Sequence, residues 1–189
     1  MEKDIDIFKE SAMDCTICGM KSNKIYDNIN LCELCYQTNI QHLNSFNANL
    51  EYEPPNYIID NIYLGSQKSG VDINKLFELN IRYVLILGKG MKANFNQIIY
   101  KIIEIDDSLE QNLSNYIKEA LDFIFESQKN NSNILVHCVS GISRSASLVI
   151  AYIMDKHKIN YDQALSYVKT QRPTIRPNTN FVEQLNNLQ

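Results

Sequence analysis

The sequence predicts an α/β fold: a central, mostly parallel sheet with helices on both faces, preceded by a small cysteine-rich module. Three observations predict it. From residue 57 onward, apolar runs of strand length alternate with helical patterns, and crossover connections turn that order into a parallel sheet. One of those runs, Ile134–Val136, leads into a short loop and then an apolar helix over Ala146–Met154. Four of the five cysteines fall in two Cys-x-x-Cys pairs before residue 36, apart from all that periodicity. A chain of 189 residues with 44 % apolar content has room for one ordinary domain and an appendage.

Residues 1–12 mix charges with scattered apolar side chains and carry no clear element. Cys15-Thr-Ile-Cys18 and Cys32-Glu-Leu-Cys35 follow, with 13 residues between them. That spacing supplies four soft ligands for a tetrahedral zinc, each pair suiting a knuckle turn. The intervening Lys24-Ile-Tyr26 and Asp27-Asn28 are long enough for a short hairpin. So small a piece buries no core of its own, so the metal would supply its folding energy. The zinc is expected to be structural, and the module could hold a protein partner. Met-Glu-Lys-Asp-Ile-Asp at the start lacks the basic and apolar regions of a signal peptide. The expected setting is therefore soluble and intracellular, where disulfides are disfavoured. The pairs lie in no βαβ pattern, which disfavours a redox role. A short helix is expected over Tyr36–Leu43. The polar stretch from Asn44 and the breaker Glu53-Pro54-Pro55-Asn56 mark a boundary. The module with its linker is expected over 1–50 and the main domain over 51–189.

The main domain opens with a predicted hairpin, Tyr57–Ile59 and Ile62–Gly65, about the two-residue turn Asp60-Asn61. A short helix is expected over Val71–Leu79, capped by Asp72. Tyr83–Leu87 reads as a strand ended by Gly88-Lys89-Gly90, a plain loop because no Walker spacing follows. Ile98–Ile105 reads as a strand ended by Asp106-Asp107-Ser108, and it is expected to lie beside Ile134–Val136. Ile117, Ala120, Leu121, Ile124 and Phe125 recur at helical spacing within Ser114–Gln128. A helix there makes a crossover, so the strands on either side should be parallel. Asn160 should cap a further helix to Gln171, ended by Arg172-Pro173. Phe181, Leu185 and Leu188 fall on one face of a last helix over Asn178–Leu188.

The chemistry concentrates in His137-Cys-Val-Ser-Gly-Ile-Ser-Arg-Ser145. The loop joins a strand to a helix at the carboxyl end of the sheet, where α/β folds bind ligands. Backbone N–H groups over Val139, Ser140, Gly141, Ile142, Ser143 and Arg144 can converge there, and the helix N-terminus adds partial positive charge. The result is an anion cradle suited to phosphate. Cys138 lies at its edge, where the dipole and Arg144 favour the thiolate, a strong nucleophile. The Arg144 guanidinium can hold two phosphate oxygens, and Ser145 can donate a hydrogen bond to the sulfur. His137 is expected to order the loop rather than act as a base. The plainer reading, a small buried cysteine beside an ordinary turn, does not account for a cysteine and an arginine flanking a glycine-containing strand–turn–helix loop.

His137-Cys138, Gly141 and Arg144-Ser145 match the HCxxGxxR[ST] loop, and the chain resembles the protein tyrosine phosphatases. Gly141–Ser145 followed by Ala151-Tyr-Ile-Met154 resembles their dual-specificity branch. The resemblance runs over roughly 56–189. Ile62–Ser66 resembles the family's opening hairpin, and Arg172-Pro173, Pro177-Asn178, Phe181 and Gln184-Leu185 resemble its closing segment. The zinc segment lies outside it. The resemblance implies hydrolysis of phosphotyrosine and phosphoserine or phosphothreonine through a cysteinyl phosphate, with no cofactor for catalysis. It also places the general acid six residues before a leucine that opens the next helix. Leu113 is that leucine, so Asp107 is expected to be the acid and Asp106 its alternative. A phosphoprotein-binding module without turnover is opposed by the intact Cys138 and Arg144. A phosphatase for inositol lipids is opposed by Val139, Ser140, Ile142 and Ser143, where such relatives usually carry basic residues. The net charge of −4 leaves no basic footprint for nucleic acid and no pull toward an anionic membrane. No apolar run is long enough to span a bilayer.

Overall fold

A computed structural model describes residues 13–15, 20–22, 25–26, 29–30, 32–33, 35 and 51–188. The chain divides into two units, Met1–Phe46 and Asn47–Gln189. In the first, β1 (Met13–Asp14) pairs antiparallel with β2 (Lys21–Ser22), and β3 (Ile25–Tyr26) pairs antiparallel with β4 (Ile29–Asn30). The Cys15 N–H donates to the Met20 carbonyl at 2.8 Å, closing the first hairpin. The second hairpin is the one expected between the pairs. Cys18 and the helix expected over Tyr36–Leu43 lie outside the described residues.

The second unit is built on a five-stranded sheet in the order β5-β6-β9-β7-β8. These strands are β5 (Asn56–Ile59), β6 (Ile62–Gly65), β7 (Ile81–Leu87), β8 (Ile99–Ile103) and β9 (Asn133–His137). β5 and β6 run antiparallel, and every other neighbouring pair is parallel. Asp60 and Asn61 take φ of 49° and 67°, the left-handed pair that a tight hairpin turn requires. Five helices follow the strands: α1 (Ile73–Glu78), α2 (Ser114–Lys129), α3 (Arg144–His157), α4 (Tyr161–Gln171) and α5 (Thr179–Asn186). Side chains cap the starts of α1, α4 and α5, the last through Asn178. Asp72 accepts from the N–H groups of Asn74 and Lys75 at 3.0 and 3.2 Å, and Asn160 with Gln163 forms a reciprocal capping box.

Strand alternation sorts the core. Ile62, Leu64, Tyr83, Leu85, Leu87, Ile134 and Val136 join a cluster with the apolar faces of α2, α3, α4 and α5. Val84, Ile86, Leu135 and His137 are buried on the other face. There α1 packs on β7, and a 3₁₀ turn at Gln67–Gly70 packs on β6 and β9. Helix α3 is buried from Ser145 to Met154, which makes it the central helix and fixes its N-terminus at the end of the middle strand. Among the described residues no helix is long and apolar enough to cross a membrane.

Three expectations are corrected. β8 does not lie beside β9, because β7 stands between them. The two strands are still parallel, each being parallel to β7. β8 also stops at Ile103, whose carbonyl accepts from both Gly88 N–H and Ile105 N–H at 3.0 Å; the chain turns off the sheet before Asp106. At the other end, Leu188 lies past α5 and is 43 % exposed, whereas Phe181 and Leu185 are fully buried.

Candidate active site

The loop from Cys138 to Ser143 is held by its carbonyls. Val139 O accepts from Gln67 N–H at 3.0 Å, and Ile142 O accepts from Arg176 N–H at 2.9 Å. Ser140 O and Gly141 O accept from the Arg172 guanidinium at 3.4 and 3.1 Å. Ser143 O accepts from Ser147 N–H and Oγ, both at 2.8 Å. Cys138 O lies 3.1 Å from His137 Nδ1. With its carbonyls turned outward onto the frame, the loop turns its N–H groups the other way, into one concavity. Gly141 permits the close approach to the hairpin. Its φ is +69°, and a Cβ there would stand 2.4 Å from Gly65 O.

Arg172 is a buried strut. Besides the two loop carbonyls it donates to Asn56 Oδ1 at 2.7 Å and Glu53 Oε1 at 3.1 Å. Glu53 Oε2 in turn accepts from Ser66 Oγ at 2.7 Å. Partial burial pushes the Glu53 carboxyl up, but the Ser66 and Arg172 hydrogen bonds outweigh it and hold the group below its usual range.

Cys138 is buried at the base of the loop. Its Sγ accepts from Gly141 N–H at 3.2 Å and from Ser145 Oγ at 3.3 Å. Burial pushes the thiol up. The Ser145 hydroxyl, the N–H groups of Ser145 and Gly141, and the Arg144 charge together outweigh it, so the pKa is lowered. Ser143 occupies the N-cap of α3 but makes no capping bond with its side chain. Apart from the Ser145 N–H, which serves the sulfur, the first-turn N–H groups of α3 are therefore not taken by a side-chain cap.

Arg144 reaches across the concavity. Its Nη1 donates to Ile105 O at 3.5 Å, and Gly88 leaves room for it, since a Cβ there would come within 2.8 Å of Nη1. Its Nε is buried without a hydrogen-bond partner, a donor that a phosphate oxygen in the cradle would satisfy. The Ser143 hydroxyl, diverted from capping, donates to Asp107 Oδ1 at 2.6 Å, and Asn178 Nδ2 donates to the same oxygen at 2.7 Å. Asp107 Oδ2 stands 3.9 Å from Arg144 Nε. Asp106 is turned the other way, into an ion pair with Lys89. Of the two aspartates, only Asp107 is docked on the phosphate loop. His137 is buried, and desolvation pushes its pKa down to about 4 despite the hydrogen bond with Cys138 O. It is neutral at physiological pH.

The predicted residues Cys138, Arg144, Ser145 and Asp107 thus meet at one loop. Sequence reasoning missed the role of Arg172, which it read as a helix stop, of Glu53, which it read as linker, and of Asn178, which it read as a helix start. A buried arginine demands partners, but no local pattern says that Arg172 is buried. In the N-terminal unit the sulfurs of Cys15, Cys32 and Cys35 all lie within 4.8 Å of one another, and all three residues are buried. Thiolates around one tetrahedral zinc stand about 3.8 Å apart, so these three fit a shared ion.

Residues 62–189 match the catalytic domain of the dual specificity phosphatases. The chain belongs to that family. It is 36 % identical to dual specificity protein phosphatase 1 of Arabidopsis thaliana over 136 residues, covering 71 % of this chain and 69 % of the relative. It is 38 % identical to human dual specificity protein phosphatase 9 over 134 residues, covering 69 % of this chain but only 35 % of the relative. Among solved structures, a human tyrosine phosphatase-like serine/threonine/tyrosine-interacting protein superposes with a TM-score of 0.67 at 32 % identity, covering 70 % of this chain and 93 % of the other. DUSP15 gives the same TM-score at 29 % identity, covering 69 % and 84 %. The second unit is accordingly a protein phosphatase domain of the dual-specificity family, and its mixed sheet flanked by helices is the fold of those structures. The cysteine pairs lie outside the matched residues.

Proposed function

We propose that this dual specificity phosphatase hydrolyses phosphotyrosine and phosphoserine or phosphothreonine in proteins through a phosphate ester on Cys138. The Cys138 thiolate attacks phosphorus; the S–P bond forms as the bond to the leaving oxygen breaks. Asp107, protonated, gives its proton to that oxygen. Arg144 and the N–H groups of Val139 to Arg144 hold the three remaining oxygens through the transition state. Water then attacks phosphorus with Asp107 as base, the S–P bond breaks, and Ser145 steadies the departing thiolate. The observation that carries this reading is the meeting at one loop of a doubly hydrogen-bonded Cys138 sulfur and the docked Asp107 carboxylate. The test is turnover of paired phosphotyrosine and phosphothreonine peptides. Hydrolysis of both is expected. Hydrolysis of inositol lipids with no activity on any phosphopeptide would overturn the substrate assignment, and phosphopeptide binding without turnover would overturn the chemistry.

The catalytic domain is proposed to span 51–189. The Glu53–Arg172 bond supports this, because it makes Glu53 part of the loop's support. Residues 1–50 are proposed to hold one structural zinc on Cys15, Cys18, Cys32 and Cys35. The three clustered sulfurs support it, and a metal count near one zinc per chain tests it. A soluble, intracellular setting is proposed, where a reducing milieu keeps such thiols free of disulfides.

A further inference from the structure

The segment that carries Asp107 has no regular structure between Glu104 and Leu113. Ser143 and Asn178 hold the Asp107 carboxylate itself, and amides on α5 hold the backbone around it. Gln184 Oε1 accepts from Leu113 N–H at 2.7 Å and Ser114 N–H at 3.2 Å. Backbone N–H groups only donate, so the orientation of this amide is forced. Gln184 Nε2 must then face the other way, where it donates to Gln111 O at 2.8 Å and Asn180 Oδ1 at 2.9 Å. That bond fixes Asn180 in turn. Its Nδ2 donates to Gln111 O at 2.7 Å and Ser108 O at 3.3 Å. The chain of donors closes through Gln111, whose Oε1 accepts from Asp106 N–H at 2.9 Å. The backbone on both sides of Asp107 is therefore tied, directly or through Gln111, to two amides that touch neither Cys138 nor the phosphate loop.

We propose that Asn180 and Gln184 are positioning residues for the general acid: they latch the 106–113 segment to α5 so that Asp107 stands over the phosphate loop. The proposal rests on reading Asp107 as the acid. A proton donor displaced by an ångström loses much of its effect, and here the donor's backbone has no ladder of its own to hold it. The bonds come from side chains, so the latch can be opened without removing a turn of helix.

The experiment is Asn180→Asp in the full chain. The aspartate keeps an oxygen to accept from Gln184 but presents its second oxygen to the carbonyls of Ser108 and Gln111, which should push the segment away. Rates are measured on aryl phosphates from p-nitrophenyl phosphate, a good leaving group, to phenyl phosphate, a poor one. Loss of about 10-fold is expected on phenyl phosphate and less than about 2-fold on p-nitrophenyl phosphate, because only the poor leaving group depends on a well-placed proton. In an Asp107→Ala background the same substitution should add no further loss. Asn180→Ala, which opens the latch without adding charge, should give the same pattern with a smaller amplitude and so guards against misfolding. Equal loss on all leaving groups, or a loss undiminished in the Asp107→Ala background, would make these amides structural only and overturn the latch. Should Asp107→Ala alone show no dependence on the leaving group, the acid assignment fails and takes the latch with it.

Discussion

Ser145→Ala isolates one hydrogen bond on Cys138, the proposed nucleophile. The hydroxyl lies 3.3 Å from Cys138 Sγ in a buried setting, and it contributes most among the groups that pull the thiol pKa down against burial. A hydrogen bond to a charged group contributes about 1.5–3 kcal/mol. Sulfur is a weaker acceptor than oxygen, so the lower end applies, and about 1.5 kcal/mol corresponds to about one pKa unit. The sign follows from the charge: the thiolate loses a donor, so the Cys138 pKa rises. The midpoint of iodoacetate inactivation against pH should move up by about one unit, and the acid limb of kcat/KM should move with it. The shift is partial because the N–H groups of Gly141 and Ser145 and the Arg144 charge remain. In the proposed mechanism the thiolate is also the leaving group of the second step. The variant should therefore accumulate phosphoenzyme and release a burst of p-nitrophenol, with kcat falling more than kcat/KM. An unmoved inactivation midpoint would refute the assignment of the hydroxyl to the sulfur.

Arg172→Met should leave the Ser140 and Gly141 carbonyls and the Glu53 carboxylate without their donor. Glu53 is 41 % exposed, so water offsets part of the loss, and about 2–3 kcal/mol of stability should disappear in urea titration. The folded fraction should still lose phosphatase activity, because the loop carbonyls are no longer held outward. His137 gives a pH dependence. Its folded pKa is pushed from the ordinary 6.5 down to about 4, so the unfolded chain takes up a proton first as pH falls. Stability should be complete above pH 6.5 and decline toward about pH 4, by about 3 kcal/mol at the limit. His137→Asn should flatten that decline relative to the parent in urea titrations at pH 7, 5.5 and 4.5.

Much of this architecture is local and was readable as such. The Asp60-Asn61 turn, the Asp72 and Asn160 caps and the buried run of α3 are each set by residues within one turn of the chain. The phosphate loop was readable for the same reason: cysteine, glycine, arginine and serine all sit within eight residues. Strand order was not, because β7 enters between β9 and β8 through long crossovers, and nothing in Ile98–Ile105 reports its neighbour. The choice of Asp107 over Asp106 came from a resemblance. Its structural counterpart is a pair of donors, Ser143 and Asn178, that lie 36 and 71 residues away. Nothing in the sequence marks Asn180, and Gln184 stands out only through the resemblance of the closing segment. Their partners are backbone groups about 70 residues earlier, and no periodicity encodes such a contact.

The proposed phosphate ester on Cys138 can be trapped. Enzyme mixed with a phosphotyrosine peptide, and separately with a phosphothreonine peptide, is quenched in acid within the first turnover and read by mass spectrometry. One phosphate on Cys138 from both peptides, absent in Cys138→Ser, is the predicted result. Turnover with no phosphate on Cys138, or turnover retained by Cys138→Ser, would contradict the account.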